Sequence, residues 1–296
     1  MRKIPENLYP FDSQWIDLDG LRMHYLDEGE GEPVVAVHGN PTWSFYYREL
    51  ARTLREDHRV VVPDHIGCGL SDKPSDDRYD YSLASRVEDF GRLMDELELD
   101  KINLVVHDWG GMIGMAWAVQ NAERIRRLVI LNTAAFHLPK SKPFPWQLWM
   151  VRDTPLGPLM VRGLNLFARG ATRMACTRKR LTKEVRDAYC APYDGWNDRI
   201  ATLRFVQDIP LKPGERGYDL VSDTAGRLDV FRDRPVLICW GDRDFVFDHH
   251  FLAEWQAIYP DAEVHRFADC GHYILEDAAD EIIPLITTFL TCEERP

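Results

Sequence analysis

Apolar and polar positions along the chain repeat with two different periods, and the switches between them divide it into elements. Trp15–Leu18 and Arg22–Tyr25 read as short strands on either side of Asp19-Gly20, a dipeptide that favours a two-residue hairpin. Val34–Val37, Arg59–Val62, Ile102–Val106 and Leu128–Leu131 are short, mostly apolar runs, as expected of strands buried on both faces. Helical spacing fills the intervals: a stretch through Leu54, then Ser85–Leu99 with Val87, Phe90, Leu93, Met94 and Leu97 on one side, then Gly110–Gln120. Strands alternating with helices predict the α/β class, with a mostly parallel central sheet and helices on both faces.

The rhythm breaks after residue 135. From Phe136 to Asp229 no convincing strand pattern occurs; Pro139, Pro143 and Pro145 mark turns between aromatic-rich helical segments. Strands resume at Pro235–Trp240 and Glu263–Phe267. The expectation is a main domain of residues 1–135 and 230–296 with a helical cap, residues 136–229, inserted late in the chain. Such a cap lies over the C-terminal strand ends, where open α/β sheets bind ligands. Phe144, Trp146, Trp149 and Phe167 are candidates for lining an apolar pocket there, or for packing the cap onto the sheet.

The chemistry concentrates in Leu-Val-Val-His-Asp-Trp-Gly-Gly, residues 104–111. An apolar strand, a glycine-flanked turn and a helix make the form of a nucleophile elbow, which usually presents a serine. Here it presents Asp108, ionised at neutral pH and therefore a nucleophile without help from a base. A carboxylate is poorly suited to opening amides and well suited to displacing a leaving group from an alkyl carbon. Trp109 follows, and its indole N–H can only donate, which suits an anionic leaving group. An aspartate capping a helix would fit the same local pattern, so the remaining elements decide.

Three more fall at strand ends. Asp269-Cys270-Gly271-His272 follows the last strand and offers His272 as general base. Trp240-Gly241-Asp242-Arg243-Asp244 follows the strand before it; the Gly-x-x-Asp spacing favours Asp244 over Asp242 as the group that orients the imidazole. In His38-Gly39-Asn40-Pro41 the backbone N–H of Asn40, with that of Trp109, is a candidate oxyanion hole. Nucleophile, acid and histidine come in the chain order of α/β-hydrolases.

Bulk composition narrows the partners. Lys+Arg 36 against Asp+Glu 48 give a net charge of −12, and the densest basic run, Arg178-Lys179-Arg180, is short, so no nucleic acid is expected. The first residues lack an apolar leader core and no eighteen apolar residues run together, which predicts no membrane span. Six cysteines without C-x-x-C spacing read as reduced thiols of a cytoplasmic protein. Gly67-Cys68-Gly69 reads as a tight turn, and neither His24 nor His249-His250 has metal-ligand spacing. Neither metal nor organic cofactor is expected.

Together with His-Gly-Asn-Pro-Thr-Trp-Ser at 38–44 and Pro-Asp-His-Ile-Gly-Cys-Gly-Leu-Ser-Asp at 63–72, these residues resemble the haloalkane dehalogenase branch of the α/β-hydrolases over almost the whole chain. The resemblance implies Asp108 as nucleophile, His272 as base and Trp109 with the Asn40 side chain as halide donors. One dehalogenase branch carries its acid as a Glu after the strand following the elbow helix. Leu131-Asn132-Thr133-Ala134 has no carboxylate, which leaves Asp244 and points to the third subfamily, with its low dehalogenase activity and large homo-oligomers. That subfamily is similar to the β-lactone decarboxylases of olefin synthesis; Leu131–Pro139 and Cys190–Asp194 look like both.

The first reading is therefore hydrolytic dehalogenation of a small apolar substrate through an Asp108 ester that His272-activated water cleaves. The second keeps every residue and substitutes a β-lactone, which loses carbon dioxide to give an alkene. An epoxide hydrolase would need two cap tyrosines, for which Tyr189 and Tyr193 are candidates. A binding protein that has lost turnover has no need of the whole set Asp108, His272 and Asp244.

Overall fold

A computed structural model describes residues 4–292; Met1–Lys3, at the start of the segment searched for a leader, and residues 293–296 lie outside the described residues. Eight strands build one sheet: β1 (Gln14–Leu18), β2 (Leu21–Glu28), β3 (Glu32–Val37), β4 (His58–Pro63), β5 (Ile102–Asp108), β6 (Ile125–Thr133), β7 (Val236–Gly241) and β8 (Glu263–Phe267). Their order across the sheet is β1-β2-β4-β3-β5-β6-β7-β8. The pairs β1–β2 and β2–β4 are antiparallel and the other five are parallel. Asp19 and Gly20 turn the first hairpin with φ of 55° and 84°, the conformation that the Asp-Gly pair tolerates best.

β5 lies inside the sheet and is buried at all seven positions, so its mostly apolar run is a consequence of cover on both faces. One core packs helices Leu83–Glu96 and Trp109–Ala118 against one face; a second packs Leu50, Leu54 and Ile274–Leu290 against the other. The helix expected over 85–99 starts two residues earlier, where the Ser82 hydroxyl accepts from Ser85 N–H at 3.0 Å, and ends at Glu96. Glu98 then takes a left-handed φ of 50°, which stops it without a glycine.

Between Thr133 and Val236 the regular elements of the chain are helices alone. Two buried carboxylates just after His272 fasten this segment to the main sheet. Glu276 accepts from Arg48 and, at 2.5 Å, from the Tyr189 hydroxyl. Asp277 accepts from the backbone N–H of Gly271, Thr177 and Arg178 at 2.8, 2.9 and 3.1 Å. All six cysteines are free thiols. Among the described residues no helix is long and apolar enough to cross a membrane.

Candidate active site

The elbow is tight because Gly39 and Gly110, where the backbones approach closest, carry no side chains. Asp108 ends β5 with φ 52° and ψ −127°, a conformation that L residues avoid, and the helix from Trp109 starts immediately. A Cβ on Gly110 would stand 1.9 Å from the Val37 carbonyl oxygen, and one on Gly39 would stand 1.9 Å from Asp108 Oδ1. The Thr133 hydroxyl donates to the Asp108 carbonyl, so the strained turn leaves no orphaned acceptor there. Gly110→Ala is expected to cost about 1–3 kcal/mol by forcing the helix off β3, read as a lower thermal midpoint together with slower turnover.

Around Asp108 the structure gathers residues from five strand ends. His272 Nε2 lies 3.2 Å from Asp108 Oδ2, and its Nδ1 lies 2.7 Å from Asp244 Oδ2. The second Asp244 oxygen accepts the Val246 N–H at 2.8 Å. Asp242 is turned away and accepts from the Arg266 guanidinium at 3.1 and 3.0 Å. His107 holds the loop from below, its Nε2 2.8 Å from the His272 carbonyl oxygen and its ring 4.6 Å from the His272 ring.

Electrostatics follow from these contacts. Burial alone would raise the Asp108 pKa, but the hydrogen bond and charge of His272 hold it below the ordinary carboxylate range. Burial opposes the charge on His272 as well. The Asp244 charge, reinforced by the bonds to Asp108 and Asp244, overcomes it and lifts the pKa to about 10. Burial and the neighbouring His272 push His107 down to about 3, so it stays neutral. At neutral pH the floor of the site is an imidazolium between two carboxylates.

The expected donors differ in how free they are. Asn40 N–H donates to Asp108 Oδ1 at 2.6 Å, as an oxyanion-hole group would; no such bond runs from the Trp109 N–H. The Asn40 side-chain amide spends one hydrogen on Thr202 O at 3.1 Å, which leaves its second for a ligand. Trp109 stands on the wall of the cavity, with Phe205 5.2 Å from its ring.

That cavity holds about 340 Å³ and has Asp108, Asn40, Trp109 and His272 among its lining residues. Most of the remaining wall is apolar. Phe144, Trp146 and Phe167 line it, whereas Trp149 does not. Phe136, Phe245, Phe247 and Phe251 also line it, and the Phe247 ring stacks 5.7 Å from His272. Sequence patterning missed these four because they come from connections and a helix start, where no period marks them. Asn132 was missed too. Its amide grips Gly241 at both ends, accepting its N–H at 2.8 Å and donating to its carbonyl at 3.0 Å, and so fixes the turn that carries Asp244. A polar residue inside an apolar strand run was the available signal.

The tyrosine pair expected of an epoxide hydrolase is contradicted. Tyr189 and Tyr193 are 2% and 0% exposed and their hydroxyls donate to Glu276 and to Thr42 O. Neither lines the cavity.

A carboxylate at a strand–turn–helix elbow of a parallel sheet, with a histidine and a second carboxylate from the last two strand ends, is the arrangement of an α/β-hydrolase-type enzyme. Residues 32–279 match the alpha/beta hydrolase fold family, and the chain belongs to it. It is 57% identical over 287 residues to the cis-3-alkyl-4-alkyloxetan-2-one decarboxylase of Shewanella oneidensis, covering 97% of this chain and 90% of that one. Haloalkane dehalogenase 2 of Mycobacterium bovis is 34% identical over 281 residues, covering 94% and 95%. The crystal structure of the haloalkane dehalogenase DatA from Agrobacterium tumefaciens shares the fold, with a TM-score of 0.85 at 24% identity over 95% of this chain and 96% of that one. The relatives thus favour the second of the two sequence readings over the first.

Proposed function

We propose that this chain opens a cis-3,4-dialkyl β-lactone and releases carbon dioxide and an alkene. The observation that carries the reading is the geometry at the cavity floor, where the Asn40 N–H holds Asp108 Oδ1 at 2.6 Å and Oδ2 faces His272 Nε2 at 3.2 Å and the cavity. The substrate class comes from the decarboxylase relative, whose name describes a four-membered lactone with two alkyl arms. An apolar cavity suits those arms.

Asn40 holds Oδ1, so Oδ2 is the attacking oxygen. It displaces the ring oxygen from the alkyl-bearing carbon; that C–O bond breaks and a carboxylate is freed. The Trp109 indole N–H and the second Asn40 amide hydrogen stabilise the emerging charge. The bond to the carboxyl carbon then breaks, its electron pair becomes the π bond, and the Asp108 carboxylate is expelled. Carbon dioxide and alkene depart with Asp108 restored. No water or proton is consumed, and His272 stays protonated, easing the departure of Asp108 by its hydrogen bond. Hydrolytic dehalogenation uses the same groups but needs a neutral His272, which esterification of Asp108 would favour by removing one of the two charges that raise its pKa.

The test is alkene release from a long-chain cis-β-lactone run beside halide release from 1-bromobutane and 1,2-dibromoethane, between pH 6 and pH 10.5. Inversion at the attacked carbon followed by anti departure places both alkyl groups cis, so a cis alkene free of solvent deuterium is expected in D₂O. Its rate holds through neutrality and falls as His272 loses its proton near pH 10. Rapid halide release with an inert lactone would replace this reading by dehalogenation.

A further inference from the structure

From Lys140 to Lys183 the chain carries ten Lys and Arg residues against one acid, Asp153, although its net charge is −12. Lys142, Arg152, Arg178 and Lys183 pair with carboxylates, and the basic surplus rests on the others. This reversal coincides with exposed apolar side chains that a water-facing surface would not gather in one place. Trp146, Leu166, Met174 and Phe245 line the cavity, yet they are 64%, 46%, 55% and 40% exposed, so they form its mouth. Trp149, one turn from Trp146 on the same helix, is also exposed. Single exposed apolar residues need no explanation; a ring of them around one opening does.

The helix Leu166–Met174 makes the face amphipathic. Ala168 and Thr172 are buried. Leu166, Arg169, Arg173 and Met174, at helical spacing, are exposed. Arg169 and Arg173 lie between the two mouth residues, and neither forms an ion pair with a carboxylate among the described residues; Arg173 and the Thr172 hydroxyl both donate to the Arg169 carbonyl. Lys179 and Arg180, just beyond, are also exposed, and their side chains pair with no acid among the described residues. Tryptophans with leucine, methionine and unneutralised arginines are the composition of a surface that lies in a bilayer interface.

We propose that the mouth of the cavity docks on the surface of an anionic lipid bilayer, with Trp146, Leu166 and Met174 at the acyl boundary and Arg169 and Arg173 against lipid phosphates. The occupant follows from charge complementarity: an acidic protein turns a basic and apolar face outward, around the opening of an apolar cavity. This goes beyond the proposed reaction, since vesicle binding depends on the surface and not on what the cavity turns over.

The experiment is flotation of the full chain with phosphatidylcholine vesicles, with and without a third of phosphatidylglycerol, at low and high salt. Binding to the anionic vesicles is expected, weakened by salt. In the double variant Arg169→Glu/Arg173→Glu the partition coefficient falls about thirtyfold or more, taking about 1 kcal/mol for each basic residue at the surface. Its thermal midpoint and its turnover of a short, soluble lactone stay unchanged, because neither arginine lines the cavity. Absence of binding to anionic vesicles overturns the proposal, as does binding that the charge reversal leaves intact. Loss of self-association in the variant without any vesicle binding would assign the face to a second copy of the chain instead.

Discussion

Asp108→Ala is expected to lower alkene formation from a cis-β-lactone by on the order of 10⁴–10⁶-fold, the scale on which loss of a nucleophile removes covalent catalysis. The geometry leaves no substitute. His272 is protonated and bound to Asp244, and the other nearby carboxylate, Asp244, is 2% exposed with both oxygens engaged. The variant still folds, because Asp108 contributes little packing, although it loses the bonds to the Asn40 N–H and His272 that favour its carboxylate. A thermal midpoint lowered by no more than a few degrees together with lost turnover is the expected pair of results. Retained turnover would remove the ester from the mechanism, and a collapsed midpoint would make the residue structural.

Glu276→Ala is expected to cost about 3 kcal/mol, because it leaves the buried Arg48 guanidinium with only the partly exposed Glu49, 3.4 Å from Nε, as a counter-charge. Arg48 is 5% exposed; its two terminal nitrogens reach Glu276, and Phe45 packs 4.2 Å from the guanidinium carbon. Burial disfavours the charge, and the bonds and charge of Glu276 more than restore it, so the Arg48 pKa lies above its ordinary value. The Tyr189 hydroxyl loses its acceptor in the same variant. In a chain of this size the midpoint falls by roughly 10 °C, measurable by calorimetry. Replacing the whole set, as Arg48→Met with Glu276→Leu and Tyr189→Phe, is expected to recover much of the loss, since an apolar core needs no ion pair. A small effect of the single change would mean that water already reaches Arg48.

Local constraints made much of the site readable. A turn that must bring Asp108 against β3 and Thr133 excludes side chains, so its glycines are visible in the chain. The Gly-x-x-Asp and Gly-His turns obey the same need at the ends of β7 and β8. Strands buried on both faces write themselves as apolar runs, which is why the parallel sheet and the helical interval after β6 could be anticipated. What stayed hidden depends on distant parts meeting. Arg48 and Glu276 are 228 positions apart, and each alone reads as a charge on a solvated helix. Phe245 and Phe247 sit in a connection, where an aromatic residue carries no period. The substrate was the least legible feature, since halide and ring-opened carboxylate ask for the same donors beside the same nucleophile.

The bonds from Glu276 and Asp277 to residues 177–189 have an evolutionary consequence. They tie one margin of the helical segment to the loop that carries His272, and Tyr273 N–H adds a bond to the Ala175 carbonyl at 2.9 Å. The helices Trp146–Asp153 and Leu166–Met174, which border the opening, lie outside that seam. Substitutions there can widen or narrow the cavity without disturbing the spacing of Asp108, His272 and Asp244. Diversification of the cavity is thereby uncoupled from the Asp108, His272 and Asp244 cluster, and a lineage can retune one while the other stands still.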